Sequence, residues 1–354
     1  MAIDIVTVLI PGIILGIIFG IILQRGRFCM NSAFRDIILL KEYKLIKAVI
    51  IAILVSMLGF AIMTFSGIIS LNPKPFMWGA QILGGFIFGA GMVLAAGCAS
   101  GTTYRVGEGM MGSLVALLGF ASGAYFTKVG ALKPISDYFQ SNTKITNPDS
   151  SNLTLFGDLT PIFMIIIGIA GIALVAYFWI FKELKAKKKE NKPMIELKDF
   201  GTKIFKKGWH WAPTGIAIGI LAWFAFVSSA AAGRNYPLGI TGGWVGWLKF
   251  WNTGDENVLS WETFLVLGVI IGAFIVAVIA KEFKLRTPKD AKKLLIQYIG
   301  GLAMGFGAVM AAGCNVGNIL SGWPQLSLGS LLAGAFIVLG CWVMAYLMFM
   351  RKGD

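Results

Sequence analysis

QILGGFIFGAGMVLAAGCASG, residues 81–101, and QYIGGLAMGFGAVMAAGCNVG, residues 297–317, are two copies of one apolar stretch. They align without a gap, and 11 of the 21 positions are identical, including the Ala-Ala-Gly-Cys motif near the end. A pair of hydrophobic segments interrupted at the same place is typical of membrane proteins built from two related halves. Each interruption carries a thiol, Cys98 in the first copy and Cys314 in the second.

The composition of the chain agrees with a membrane protein. Hydrophobic residues make up 57%, charged residues 14%, and the mean hydropathy is +0.77. Apolar runs of about 18 residues or more predict membrane-spanning helices. Nine such runs lie at about 5–23, 46–69, 78–97, 112–131, 160–181, 212–232, 262–280, 294–313 and 328–350. The sequence therefore predicts an all-α polytopic membrane protein in a lipid bilayer.

The net charge of +14 does not indicate a nucleic-acid partner, because the charges are unevenly placed. The segment 182–210 holds ten lysines and four acids, and we place it in the cytoplasm. Nine spans threaded outward from it leave 25 Lys and Arg on the cytoplasmic side and 6 outside. This asymmetry follows the positive-inside rule. It predicts a multi-pass protein of the cell inner membrane with an external N-terminus and a cytoplasmic C-terminus.

The same threading gives the two copies opposite directions across the membrane. We therefore predict an inverted repeat, with a first half at 1–181, a basic cytoplasmic linker at 182–211 and a second half at 212–354. A fainter echo follows the first span of each half, where Gly26-Arg27-Phe28-Cys29 resembles Gly233-Arg234-Asn235-Tyr236.

Four further stretches are too short or too broken to cross a bilayer: 29–40, 98–109, 238–250 and 314–325. We expect each to be a short re-entrant helix or loop. Irregular backbone at membrane depth is tolerated only where it is buried in protein or lines a cavity. The helix N-termini of such segments favour anions.

Three cysteines, Cys29, Cys98 and Cys314, begin three of these broken stretches. A thiol is a weak donor and a soft acceptor, which suits a terminal sulfur or selenium atom better than a hard oxyanion. A buried cysteine is more often a small hydrophobe, and we expect this structural role for Cys341, which has no counterpart in the repeat.

Other residues near these thiols complete the predicted pathway. Uncharged donors beside the cysteines and two arginines next to spans could contact an anion, although the arginines could equally snorkel at helix ends. The glycines that precede two of the cysteines allow close helix packing, which is compatible with lining a site. The set comprises Arg27, Asn31, Gly97, Arg234, Gly313 and Asn315. Arg105 and Glu108 are expected to pair with each other.

The sequence resembles the YeeE/YedE family of membrane proteins, which is linked to uptake of thiosulfate and related sulfur compounds. The resemblance covers nearly the whole chain and rests on Gly26–Asn31, Ala95–Gly101 and Ala311–Gly317. It implies nine spanning and four short helices in an hourglass-like bundle. It also implies that Cys29, Cys98 and Cys314 relay thiosulfate through S–H···S contacts, and that a small cytosolic TusA-like sulfur carrier receives the sulfur.

We therefore expect an importer of thiosulfate, or of a related sulfur or selenium anion, without a cofactor and without enzymatic chemistry. One alternative is a membrane sulfurtransferase or thiol oxidoreductase that acts through Cys98. That chemistry requires a lowered thiol pKa, and the single histidine, His210, lies far away in the linker. A second alternative is an anchor or sensor that recruits a sulfur carrier through the linker.

Overall fold

The computed structural model describes residues 5–147, 152–181, 205 and 207–351, so most of the predicted basic linker lies outside the described residues. Within the described chain, all nine predicted spans are helical. The long helices are α1 (Ile5–Arg25), α3 (Lys44–Phe65), α4 (Trp78–Leu94), α6 (Met111–Lys128), α8 (Thr160–Val175), α9 (Trp211–Ala231), α11 (Trp261–Ile279), α12 (Ala291–Met310) and α13 (Leu328–Ala345).

Shorter elements connect these helices. The short α-helices are α2 (Met30–Leu39), α5 (Ala99–Gly107), α7 (Lys133–Asn142) and α10 (Thr241–Thr253). The chain forms π-helical turns at Ala176–Phe181, Val316–Leu320 and Tyr346–Met350, and 3-10 turns at Gly157–Leu159, Glu256–Val258 and Trp323–Gln325. Each of the four predicted broken stretches therefore contains a short helical segment.

The predicted fold class, an all-α polytopic membrane protein, is confirmed. Eight helical stretches of the described chain are long and apolar enough to cross a membrane. A ninth crossing is obtained when α6 and α7, which are bent by 64° relative to each other, count as one broken span.

Two elements were not predicted. The short helix α7 follows α6, begins with Pro134 in its first turn and carries an exposed Lys133–Asp137 ion pair. Its polar, amphipathic sequence has no apolar run, so a search for spans passes over it. A two-residue ribbon, β1 (Phe76–Met77) with β2 (Lys144–Ile145), is the second such element. Backbone pairing between such distant residues leaves no local pattern in the sequence.

Glycines allow the long helices to pack backbone against backbone. A β-carbon on Gly89 of α4 would lie 2.1 Å from the carbonyl oxygen of Ile337 in α13. At the equivalent position of α12, a β-carbon on Gly305 would lie 2.3 Å from the carbonyl oxygen of Phe120 in α6. Neither position can accept a side chain without separating the helices. The small residues of the repeat therefore act in packing, as the sequence indicates.

The equivalent helices α4 and α12 cross each other in opposite directions. Gly84, near the start of α4, packs against Ala311 just after the end of α12, while Gly300 of α12 packs against Ala95 just after the end of α4. An inverted repeat requires this antiparallel relation.

Parallel pairs join the two sequence halves, because α1 packs along α11 and α3 packs along α9. The pairs α4 with α13 and α6 with α12 are parallel too. In the predicted threading the two members of each pair cross the membrane in the same direction. The halves therefore interlock in one helical body.

Candidate functional site

The helices α4 and α12 end in the same kind of turn, and this turn directs the chain into the broken segments. Ala96 and Ala312 adopt left-handed backbone conformations, with φ of 56° and 55°. The hydrogen bonds are those of a Schellman motif. At the end of α4, Ala96 N donates to Val93 O and Gly97 N donates to Met92 O. At the end of α12, Ala312 N donates to Val309 O and Gly313 N donates to Ala308 O. Gly97 and Gly313 follow the left-handed alanines and lead into Cys98 and Cys314.

Cys29 and Cys98 form a buried thiol pair. Cys98 is the N-cap of α5 and Cys29 is the N-cap of α2, and their Sγ atoms lie 3.7 Å apart. Cys98 Sγ also accepts a hydrogen bond from the backbone N–H of Gly101 at 3.3 Å and lies 3.5 Å from the hydroxyl of Ser100. Two helix N-termini, which both favour negative charge, therefore meet at a pair of free thiols.

Gly101 permits this contact between the thiols. A β-carbon at Gly101 would lie 2.7 Å from Cys29 Sγ and 3.2 Å from Cys98 Sγ. Both distances are shorter than ordinary van der Waals contacts, so a larger residue would push the thiols apart. Gly101 is one of the positions at which the two copies are identical, and in the first copy the contact between the thiols accounts for a glycine there.

Cys314 lies at a cavity of about 390 Å³, which we call the Cys314 cavity. Its basic and acidic lining residues are Lys74, Lys128, Arg234 and Glu262. Three positive charges face one negative charge, so the cavity carries an excess of positive charge. Tyr236 and the backbone of Gly313 and Gly317 complete the wall around the thiol.

Lys74 is a basic residue that lies against the Cys314 segment. Its Nζ atom lies 3.4 Å from Asn318 Oδ1 and 5.2 Å from the centre of the Tyr236 ring. Burial lowers the pKa of Lys74 to about 8, because the ammonium loses hydration. Sequence reasoning missed this residue. The one local signal is a lysine held between Pro73 and Pro75 immediately before a span.

Arg234 and Glu262 form an ion pair on the wall of the Cys314 cavity, 3.1 Å between Nε and Oε2. The other carboxylate oxygen of Glu262 accepts a hydrogen bond from the backbone N–H of Gly242 at 3.0 Å. The guanidinium of Arg234 also donates to the carbonyl oxygens of Tyr236 and Pro237. The pair neutralises Arg234 in part, whereas Lys74 lies against the residue before Cys314, since a β-carbon on Gly313 would be 2.0 Å from its Nζ atom.

Asn31 and Asn315 lie between the two cysteine regions, and both are fully buried. Asn315 follows Cys314, and its Nδ2 atom lies 2.8 Å from the thioether sulfur of Met30, the neighbour of Cys29. Among the described residues, Asn31 Nδ2 and Asn315 Oδ1 have no hydrogen-bond partner. The structure thus brings together the segments of Cys29, Cys98 and Cys314 and leaves two amide groups unsatisfied where they meet.

A smaller cavity of about 200 Å³ lies beside the Cys98 segment, and we call it the Arg105 cavity. Arg105 and Arg286 line it together with Gln297. Arg105 Nη1 donates to the carbonyl oxygen of Ala96 at 2.8 Å, while Glu108 accepts a hydrogen bond from Gln24. The predicted Arg105–Glu108 pair is therefore wrong, because each side chain has another partner.

The two arginines of the Gly-Arg echo are not equivalent. Arg27 occupies the left-handed position of the turn after α1, with φ of 45°, whereas Gly233 occupies that position after α9, with φ of 80°. The echo is thus one residue out of structural register. The Arg27 side chain is 69% exposed and lies 3.5 Å from Glu282, while Arg234 lines the Cys314 cavity.

Comparison with known proteins gives the family of the chain. The sequence profile described as sulphur transport matches residues 25–343. The thiosulfate transporter TsuA of Spirochaeta thermophila is 39% identical over 346 residues, which cover 96% of this chain and 99% of that protein. The thiosulfate transporter TsuA of Escherichia coli is 33% identical over 357 residues, covering 98% and 96%.

A shorter similarity extends to a second kind of protein. The probable transporter YedE of Escherichia coli is 38% identical over 99 residues, which cover 27% of this chain and 23% of that protein. The resemblance to the YeeE/YedE family is therefore confirmed. The chain belongs to the sulphur-transport family of multi-pass membrane proteins.

Proposed function

We propose that this protein takes up thiosulfate across the cell inner membrane and passes the anion along cysteine thiols. The observation that carries the proposal is the buried pair of free thiols, 3.7 Å apart at two helix N-termini. Two relatives that match over nearly their whole lengths are named thiosulfate transporters. Both relatives are transporters by name, which favours a transporter over the sulfurtransferase alternative.

The chemistry of thiosulfate fits the mixture of groups along this pathway. The anion has a soft terminal sulfur at one end and hard oxygen atoms at the other. Thiols provide weak donors and polarizable sulfur for the soft end. Ammonium and carboxamide N–H groups bind the oxygen atoms through charge-assisted hydrogen bonds. Neither set holds the anion strongly alone, and conduction requires binding of intermediate strength.

The geometry supports one route. The anion enters the Cys314 cavity, where Lys74 attracts it and the thiol of Cys314 contacts its terminal sulfur. It then passes the buried amides of Asn315 and Asn31 and reaches the pair of Cys29 and Cys98. The Arg105 cavity offers the exit. In the predicted threading this route runs from the external to the cytoplasmic face.

Several finer predictions belong to this proposal. The Cys314 cavity is external and the N-terminus lies outside, as the charge asymmetry indicates. The sequence halves 1–181 and 212–354 are the units of the inverted repeat, joined by the linker 182–211. A cytosolic TusA-like carrier accepts sulfur on the exit side. A selenium analogue would engage the same thiols, since selenium is at least as soft as sulfur.

Radiolabelled thiosulfate uptake tests the proposal in a host that lacks its own sulfate and thiosulfate importers. Wild type, Cys98→Ala and Cys98→Ser are compared at equal membrane levels. Wild type should accumulate label and both variants should not, because both lack the soft sulfur atom. Cys98→Ser shows that the sulfur itself matters, since its hydroxyl is similar in size to the thiol. Uptake by Cys98→Ala at the rate of wild type would refute the thiol pathway. No uptake by wild type, with uptake of selenite or another sulfur anion, would refute the assigned substrate.

A further inference from the structure

The fourth cysteine, Cys341, contacts the thiol-bearing helix α2. Cys341 lies in α13 and is fully buried. Its Sγ atom lies 3.7 Å from Asn31 Oδ1 and 4.0 Å from the backbone oxygen of Asn31. One residue further on, the indole N–H of Trp342 donates to the carbonyl oxygen of Phe34 at 3.0 Å. The helix α13 thus supports the first turns of α2 at two points.

Asn31 makes this contact notable, because the other end of its carboxamide is unsatisfied. Asn31 is 0% exposed, and its Nδ2 atom has no hydrogen-bond partner among the described residues. Buried polar groups are nearly always paired, so an orphaned amide N–H requires an explanation. A transient ligand with acceptor atoms supplies one.

The position of Asn31 in the chain suggests the nature of that ligand. Asn31 stands two residues after Cys29, and its neighbour Met30 contacts Asn315, which follows Cys314. Asn31 is thus adjacent in the chain to the residue at which the segment of Cys314 meets the segment of the thiol pair. An anion that moves from Cys314 to Cys29 brings its oxygen atoms past this point.

We propose that Cys341 is a positioning residue for transport. Its thiol donates to Asn31 Oδ1 and so fixes the orientation of the carboxamide. Asn31 Nδ2 then faces the passage and donates to an oxygen atom of the passing oxyanion. This inference rests on the proposed function, and it replaces the expectation that Cys341 only fills space. It assigns to a residue outside the repeat a role in binding the hard end of the substrate.

Two substitutions separate positioning from packing. Cys341→Ser keeps a donor within reach of Asn31, whereas Cys341→Ala removes the donor together with the volume of the sulfur atom. A packing role predicts similar behaviour of the two variants, while a positioning role predicts that Ser is active and Ala is impaired.

Initial rates of thiosulfate uptake, measured with purified full-length protein in liposomes, give KM and the maximal rate separately. Loss of one hydrogen bond to the anion should raise KM about five- to tenfold in Cys341→Ala. Cys341→Ser should remain within about twofold of wild type. In the Asn31→Ala background, Cys341→Ala should have no further effect, because both changes remove the same donor. Equal KM values for Ser and Ala, or full additivity with Asn31→Ala, would overturn the inference.

A spectroscopic readout tests the contact without transport. The S–H stretching band of Cys341 is obtained as the infrared difference between wild type and Cys341→Ala. In Asn31→Ala this band should move toward the position of a free thiol. An unchanged band would overturn the inference, even if thiosulfate uptake itself is intact. Conversely, if wild type takes up no thiosulfate but the S–H band shifts in Asn31→Ala, the proposed function is refuted and the hydrogen bond between Cys341 and Asn31 is retained.

Discussion

The Cys98 end and the Cys314 end of the repeat have the same kind of backbone turn, but different residues contact the glycine that follows each cysteine. At the Cys98 end, the glycine of the motif, Gly101, contacts the thiol of Cys29. At the Cys314 end, the equivalent Gly317 accepts a hydrogen bond through its carbonyl oxygen from the hydroxyl of Tyr236 at 2.7 Å. The first end is a fully buried pair of thiols, whereas the second is a cavity with excess positive charge.

The proposed function gives the two ends different roles. Under the proposed function, the Cys314 cavity would attract a hydrated anion from solution, since Lys74 provides charge and the cavity provides room. The Cys98 end has two fully buried thiols 3.7 Å apart, and these would offer close contacts to sulfur instead. The two copies of the repeat end in similar turns, and the different residues around them would suit one end to capture and the other to transfer under the proposed function.

The largest effect should follow from inserting a methyl group between the paired thiols. Gly101→Ala places a β-carbon 2.7 Å from Cys29 Sγ, so we expect uptake to fall at least about tenfold as the pair separates. Gly317→Ala is the matched control, because its β-carbon meets the flexible end of Lys74 at 3.1 Å. Uptake by the two variants at equal membrane levels measures the difference. Equal loss in both would remove the proposed asymmetry.

Lys74→Gln should weaken capture and leave transfer intact. Loss of one charge-assisted hydrogen bond at the Cys314 cavity should raise KM about tenfold with little change in the maximal rate. Lys133→Gln serves as the control, since Lys133 is exposed and pairs with Asp137. A lower maximal rate at unchanged KM in Lys74→Gln would contradict a role in capture.

Uptake should depend on external pH through Lys74. Its pKa of about 8 means that the side chain is charged below this pH and neutral above it. Wild-type KM should therefore rise as the external pH increases from 7 to 9. Lys74→Arg should abolish this rise, because a guanidinium stays protonated. The same pH profile in both proteins would assign the dependence to another group.

The smallest effect should come from the turns that both ends share. Ala96→Gly and Ala312→Gly relieve the left-handed strain of an alanine, which exceeds the entropic cost of glycine by about 0.5 kcal/mol. Each variant should unfold at a slightly higher temperature in detergent, by a similar amount. A marked difference between the two variants would show that the turns are not equivalent.

The repeat is the part of this structure that sequence reasoning predicts well. Apolar runs locate the spans, and matched thiols in matched glycine-rich segments locate Cys98 and Cys314. Both signals are local, since they depend on hydrophobicity and on identical neighbours. The antiparallel crossing of α4 and α12 follows from the charge asymmetry of the loops.

The remaining features depend on contacts between distant segments. Lys74 reaches the Asn318 side chain from another loop, and Cys341 contacts Asn31, 310 positions away. Neither residue has a partner in the repeat, so internal comparison cannot find it. The Gly-Arg echo fails for a different reason. A four-residue match aligns letters, whereas the hydrogen bonds of the turn align Arg27 with Gly233.

The central claim is that soft transfer occurs at the Cys98 end and capture at the Cys314 end. Thiosulfate uptake into liposomes by Cys98→Ser and Cys314→Ser tests it most directly. Each variant keeps the size of the side chain and removes the sulfur. The account predicts no measurable transport in Cys98→Ser and a reduced, still saturable transport in Cys314→Ser. Robust transport in Cys98→Ser, or a greater loss in Cys314→Ser, would contradict it.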